Sequence, residues 1–242
     1  MGFLAVLARV GGALAFVPLP GFRNTPETAR VVLAIALAGA LVPFWPALEW
    51  PDPLLGGLLL LVASECALGM VAGLAVAFLI ESLLVAAQVF GLQAGYSYAS
   101  TIDPSTEADS NVLLVLAQLM AGMMFFSLGL DREVLRAFAA SLTTHPAGSF
   151  IPSARHAEAL VRLGTDMLAT GVRLALPVVA LLAMVDLTLA LLGRLHQQLQ
   201  LITIAFPAKM LATLAFLASI SVLYFSVFRG ASARTVRFLF GL

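Results

Sequence analysis

The side chains able to do chemistry are few and scattered. His145, His156 and His196 stand far apart, and no two have the one-turn helical spacing that lets imidazoles share a metal. The single cysteine, Cys66, has no second thiol for a disulfide or a metal site and reads as a small core residue. No Gly-rich loop ending in Lys-Ser/Thr is present, which argues against a nucleotide site of that type. What remains is a set of charges inside apolar sequence, among them Arg9, Glu65, Glu81, Arg173, Asp186 and Lys209. Carboxylates so placed can form an acid pair, couple to an ion, or sit against a polar partner that satisfies them. An ionised group left in hydrocarbon costs roughly 3 kcal/mol on insertion scales, so each must face protein, backbone or water. No cofactor or metal is expected, and no reacting pair of side chains points to an enzyme.

These charges need elements to hold them. Glu65, Gly69 and Gly73 recur every fourth residue, so on a helix they share one face, and glycines there let a second backbone approach closely. The same small-residue spacing returns at Gly91 and Gly95. The Glu65 carboxylate therefore belongs in a protein contact, either as simple packing with a satisfied acid or as the wall of a conduit. Beyond Gly95 the sequence turns polar through Ser97, Tyr98, Ile102, Asp103, Pro104 and Glu107 to Asp109, an acidic loop with no basic residue. Asp-Pro followed by Ser-Thr is a turn signal that also caps a following helix.

Composition sets the class. With 242 residues, 61% hydrophobic and 11% charged, the chain has too little polar surface to cover a water-soluble globule, and it reads as an integral membrane protein. A formal net charge of zero removes the basic face that nucleic-acid binding requires. Lys209 is the only lysine; the other basic side chains apart from histidine are arginines, suited to structural pairs within protein. No cleavable targeting peptide is expected, because the first apolar stretch carries Arg9 and runs into Val17-Pro18-Leu19-Pro20 without a small-residue cleavage pattern.

An all-α, multi-pass membrane fold with kinked helices and helical hairpins follows in order along the chain. A short first segment, 3–17, contains Arg9 beside Gly11 and Gly12; Pro26 opens a second helix near 28–43; and Trp45 and Trp50 flank a proline-rich turn suited to the membrane interface. Residues 54–96 are about twice the length of one span: either Glu81-Ser82 turns them into a hairpin or one long helix projects beyond the bilayer, and a bent, partly projecting helix pair is the favoured reading. Residues 111–130 form a methionine-rich helix with Met120, Met123 and Met124 beside Phe125 and Phe126. Residues 131–166 read as an amphipathic hairpin turning at Pro146-Ala147-Gly148, and 167–192 as a span kinked by Pro177. A polar turn carrying Arg194 and Gln198 leads to a last apolar helix, 201–228, interrupted by Pro207 and Lys209, and then to a tail with Arg229, Arg234 and Arg237. Arginines near the span ends place that tail in the cytoplasm and the acidic loop on the opposite side.

In this order the motifs resemble the FliR family of flagellar export-gate proteins, whose injectisome counterpart is the SctT family. The resemblance rests on Arg9 in a Gly-rich first helix, Pro26 and Arg30 opening the second, and Glu65-x-x-x-Gly69-x-x-x-Gly73. It continues with Gly91 and Gly95 before Asp103-Pro104, then Ser141 with Pro146 and Gly148, and Pro177. The late block Arg194-x-x-Gln197-Gln198-x-Gln200 followed by Phe206-Pro207-x-Lys209 is the most telling. That block departs from the family pattern at Gln197, Gln200 and Ile202, so only Arg194, Gln198, Pro207 and Lys209 carry over from it.

The resemblance implies a non-enzymatic subunit, present once, that completes a helical channel with FliP and FliQ homologues beside an FlhB homologue in the bacterial inner membrane. Unfolded exported proteins are the implied cargo, with 1–166 as a FliP-like part and 167–242 as a FliQ-like hairpin and tail. It further implies that the segment from Gly95 to Glu107 helps plug the closed pore. A small-solute transporter or channel, with Glu65 and Asp186 as coupling residues, is the alternative that the residues themselves leave open.

Overall fold

The computed structural model describes residues 2–17, 26–45, 55–96, 112–195 and 201–241. Among these it has eight α-helices and no strand: α1 (Gly2–Phe16), α2 (Glu27–Ala40), α3 (Leu55–Ala94), α4 (Val112–Ser127), α5 (Leu130–Thr144), α6 (Ala154–Leu195), α7 (Leu201–Ser219) and α8 (Ser221–Phe240). A single 3-10 turn, Val42–Phe44, follows α2. The protein is an all-α, multi-pass membrane protein. By length and apolarity α3 and α6 can each cross a bilayer, and the bent pairs α4–α5 and α7–α8 raise the number of candidate crossings to four.

Residues 55–94 form one helix of 40 residues, about 60 Å long, and not the bent pair expected from the sequence. Nothing at Glu81-Ser82 forces a break. The Ser82 hydroxyl donates to the Leu79 carbonyl at 2.7 Å, a bond within the preceding turn that leaves the helix running. α3 is the axis of the fold. It packs against α1 around Glu65 to Gly73 and against α6 from Phe78 to Gln93, and also meets α4, α7 and α8. Its buried side chains, Ala72 through Ala94, form the spine of the main core, with Leu113, Met124, Leu174, Leu182 and Phe228 packed around them.

Two further boundaries differ from the sequence reading. α6 runs unbroken from Ala154 through Asp166 and past Pro177 to Leu195, so the helix expected at 167 starts thirteen residues earlier. The charges of its first half lie on a helix surface and do not interrupt it. Conversely, the last apolar stretch does not continue to 228: it bends by 61° between α7 and α8, at Ile220. α8 includes all three tail arginines, because Tyr224, Phe228, Ala231, Thr235 and Leu239 form a buried stripe at helical spacing that folds the tail back on the core. Gly129, at φ +66°, makes the matching 64° turn between α4 and α5.

The expected interfacial tryptophan Trp45 is half-buried. Its indole donates to the Ala38 carbonyl at 2.9 Å, and its ring lies 5.4 Å from that of Phe3. Trp50 lies outside the described residues.

Candidate functional site

Two ion pairs, one at each end of α3, organise the polar interior. The first is buried completely. Arg9 of α1 donates from Nε to Glu65 Oε2 of α3 at 2.6 Å, with side-chain exposures of 1% and 0%. The other carboxylate oxygen accepts the backbone N–H of Gly148 at 2.9 Å. The guanidinium spends its remaining arms on the Ser141 hydroxyl and the His145 carbonyl, each at 3.1 Å. α1, α3, α5 and the turn after α5 are thereby joined through one neutral, hydrogen-bonded cluster. A buried ion pair is tolerated only when its leftover donors and acceptors are satisfied in this way.

Glycines make that contact possible. Gly69 and Gly73 lie one and two turns beyond Glu65, and a Cβ on either would run into the backbone of α1, at the Arg9 and Ala13 carbonyls respectively. From the opposite side, a Cβ on Gly12 would stand 2.5 Å from the Cys66 carbonyl. The two backbones are in contact, which lets the Arg9 side chain reach Glu65 while remaining dry. The Cys66 thiol, part-buried and not in the core expected for it, donates to the Ala8 carbonyl at 3.4 Å. Gly148 has φ +81°, a conformation that presents its N–H to the carboxylate and that other residues adopt at a cost.

The second pair joins Asp186 of α6 to Lys209 of α7. Gln93, near the end of α3, donates to the other Asp186 oxygen at 3.2 Å. α3 ends one residue later, at Ala94, in a Schellman turn: Gly95 has φ +85°, its N–H bonds to the Leu92 carbonyl, and the Tyr96 N–H bonds to the Gly91 carbonyl at 3.1 Å. The Tyr96 hydroxyl donates to the Met210 carbonyl on α7 at 3.2 Å, one residue from Lys209. Gln93 and Tyr96 thus tie the end of α3 to α6 and α7 beside a half-exposed ion pair.

Several site residues are apart or out of view. Gly91 is buried inside α3, while Arg194 is exposed near the C-terminus of α6 and Pro207 is exposed within α7. Ser97, Tyr98, Ile102, Asp103, Pro104, Glu107 and Gln198 lie outside the described residues. Glu65 and Asp186, two of the acids considered as an intramembrane pair, do not meet: each is bound to its own cation. Among the described residues no cluster of His, Cys, Asp and Glu is arranged to hold a metal.

Sequence reasoning had both ends of the first network without joining them. The available signal was that each charge sits next to small residues on its own helix, Arg9 before Gly12 and Ala13, Glu65 before Gly69 and Gly73. For the second pair, the signal was one acid and the sole lysine, both in apolar helices.

Residues 1–235 match the family described as Bacterial export proteins, family 1. The chain is 26% identical to the flagellar biosynthetic protein FliR of Escherichia coli over 214 residues, covering 88% of this chain and 82% of that protein. It is 27% identical to FliR of Caulobacter vibrioides over 214 residues, covering 88% and 85%. With FliR of Bacillus subtilis the identity is 26% over 240 residues, covering 97% and 91%. Neither the family description nor these three names denotes an enzymatic activity.

Proposed function

Because this chain belongs to the FliR family of bacterial export proteins, we propose that it is a non-enzymatic structural subunit of a protein-export gate in the bacterial inner membrane. On this reading one copy joins FliP and FliQ homologues, beside an FlhB homologue, to close a helical channel for unfolded proteins. The part up to about residue 166 is FliP-like and the remainder FliQ-like.

The observation that carries the reading is the uneven burial of the two long apolar helices. Of the most apolar 18-residue stretch of α3, 67% is buried within the chain, against 22% of the corresponding stretch of α6. The open face of α6 is not a uniform lipid surface. It presents Leu176, Met184 and Leu187 together with an exposed Arg173. Charges mixed into an apolar helix face are costly against acyl chains and are accommodated where other polypeptides cover them. Residues 97–110 begin where α3 is tied to α6 and α7, which suits a segment that obstructs the channel on this reading.

Co-expression with FliP and FliQ homologues followed by native mass spectrometry should find one copy of this chain in the complex. Its consistent absence would sink the proposal. Deleting residues 100–107 should make cells carrying the assembled complex leak small solutes; unchanged permeability would remove that segment from the gate.

A further inference from the structure

The two halves of α6 are held to the rest of the chain by different means. Before Pro177 the helix packs tightly: Thr170, Gly171, Leu174 and Ala175 are buried, and a Cβ on Gly171 would stand 2.9 Å from the Ser82 carbonyl of α3. The buried Tyr224 of α8 adds a bond from its hydroxyl to the Leu174 carbonyl at 3.0 Å. After Pro177, Val178 and Leu182 are the last buried side chains, and from 183 to 194 none is buried. Among the described residues, the only side chain of that outer stretch bonded to another helix is Asp186, which pairs with Lys209 of α7 and accepts from Gln93 of α3 at 3.2 Å.

Pro177 separates the two halves. Its ring nitrogen carries no N–H, so the Arg173 carbonyl loses its donor within the helix, and the ladder is weakest at that turn. At about 1.5 Å per residue, Leu182 lies ~7.5 Å and Leu191 ~21 Å beyond the proline. A small change of angle there carries Leu191 about three times as far as Leu182, so the core contacts near the pivot survive a movement that the outer end feels. A half-exposed ion pair is weak enough to open without unfolding the helices it joins. We propose that α6 is a lever: residues 154–176 are fixed on α3 and α8, residues 178–195 pivot at Pro177, and Asp186 is the latch that closes this outer arm onto α3 and α7. Opening the latch also frees Gln93, one residue before the end of α3. The bearing of that release on residues 97–110 rests on the export-gate reading; the lever itself does not.

The test uses the full chain with whatever subunits accompany it, in a Cys66→Ala background. Spin labels at Val222 of α8 and Leu191 report the outer arm, and labels at Val222 and Leu168 report the fixed one; all three positions are exposed. Double electron–electron resonance should give the parent one narrow distance for each pair. Asp186→Asn should add a longer Val222–Leu191 distance, raising the open-to-closed ratio about three- to fivefold, the scale of one half-exposed ion pair, with Val222–Leu168 unchanged. Lys209→Gln should do the same from the other side of the pair, and stands in if Asp186→Asn does not fold. Adding Pro177→Ala should return the parent distance, because an unbroken hydrogen-bond ladder does not pivot. Unchanged distances in both latch variants overturn the proposal, as does equal broadening of the two label pairs. A longer distance that persists with Pro177→Ala overturns the hinge. Cells carrying Asp186→Asn should leak small solutes; shifted distances without a leak would overturn the link to residues 97–110 and leave the lever standing.

Discussion

Arg9 and Glu65 are the residues whose removal should be felt most. Taking away one member leaves the other as an unpaired charge in a site with 1% exposure or less, which typically costs about 3–5 kcal/mol. Arg9→Met should therefore lower the thermal unfolding midpoint in detergent sharply. The double variant Arg9→Met with Glu65→Met should recover much of the loss, since no charge is then stranded. A double variant no more stable than the single would show that the pair is not acting as a unit. Lys209→Met should be far milder, about 1 kcal/mol or less, because Asp186 is 39% exposed and keeps Gln93. The sequence displays all four charges and the reason each needs a partner, but assigns none. Arg9 and Glu65 are 56 positions apart, and only the contact of α1 with α3 makes them neighbours.

For the elements, the glycines divide into those that meet another backbone and those that do not. Gly69→Leu and Gly73→Leu should abolish the folded, monodisperse protein in detergent size-exclusion profiles, because the new side chain would occupy the space of the α1 main chain. Gly57→Leu, on the same helix with nothing within 4 Å, should elute as the parent does. Indistinguishable profiles for all three would mean that α1 does not pack here. Ser82→Pro tests the continuity of α3: in an unbroken helix it should cost about 3 kcal/mol or more, whereas at a hairpin turn it would be tolerated. The four-residue recurrence of Glu65, Gly69 and Gly73 is visible in the sequence, and a close-packed face follows from it. The sequence left a single long helix open beside a bent pair and did not decide between them, because apolar composition fixes neither a turn nor its absence.

At the scale of the whole molecule, the apolar part of α3 is mostly buried by its own chain and that of α6 mostly is not. Single cysteines at Met184 and Leu187, in a Cys66→Ala background, should react readily with a maleimide when the chain is alone in detergent. In the complex with its export partners they should be protected. Equal reactivity in both states would mean that α6 faces detergent or lipid and not protein, and the export-gate reading would lose its structural support. The folding of the arginine-bearing tail onto the core also belongs to this scale. Its charges suggest a solvated end, yet the stripe from Tyr224 to Leu239 is buried, and the Tyr224 hydroxyl donates to the Leu174 carbonyl at 3.0 Å.

By itself the amino-acid sequence determined that this is a helical membrane protein, which residues break its apolar segments, and which face of the third helix admits a close neighbour. Those properties depend on composition and on spacings of three or four residues, which a chain carries whatever its long-range contacts. Only the tertiary structure decided that Arg9 answers Glu65 and that Lys209 answers Asp186. Ion pairing is a matter of a few ångströms, and residues far apart in sequence come that close only after whole helices have packed.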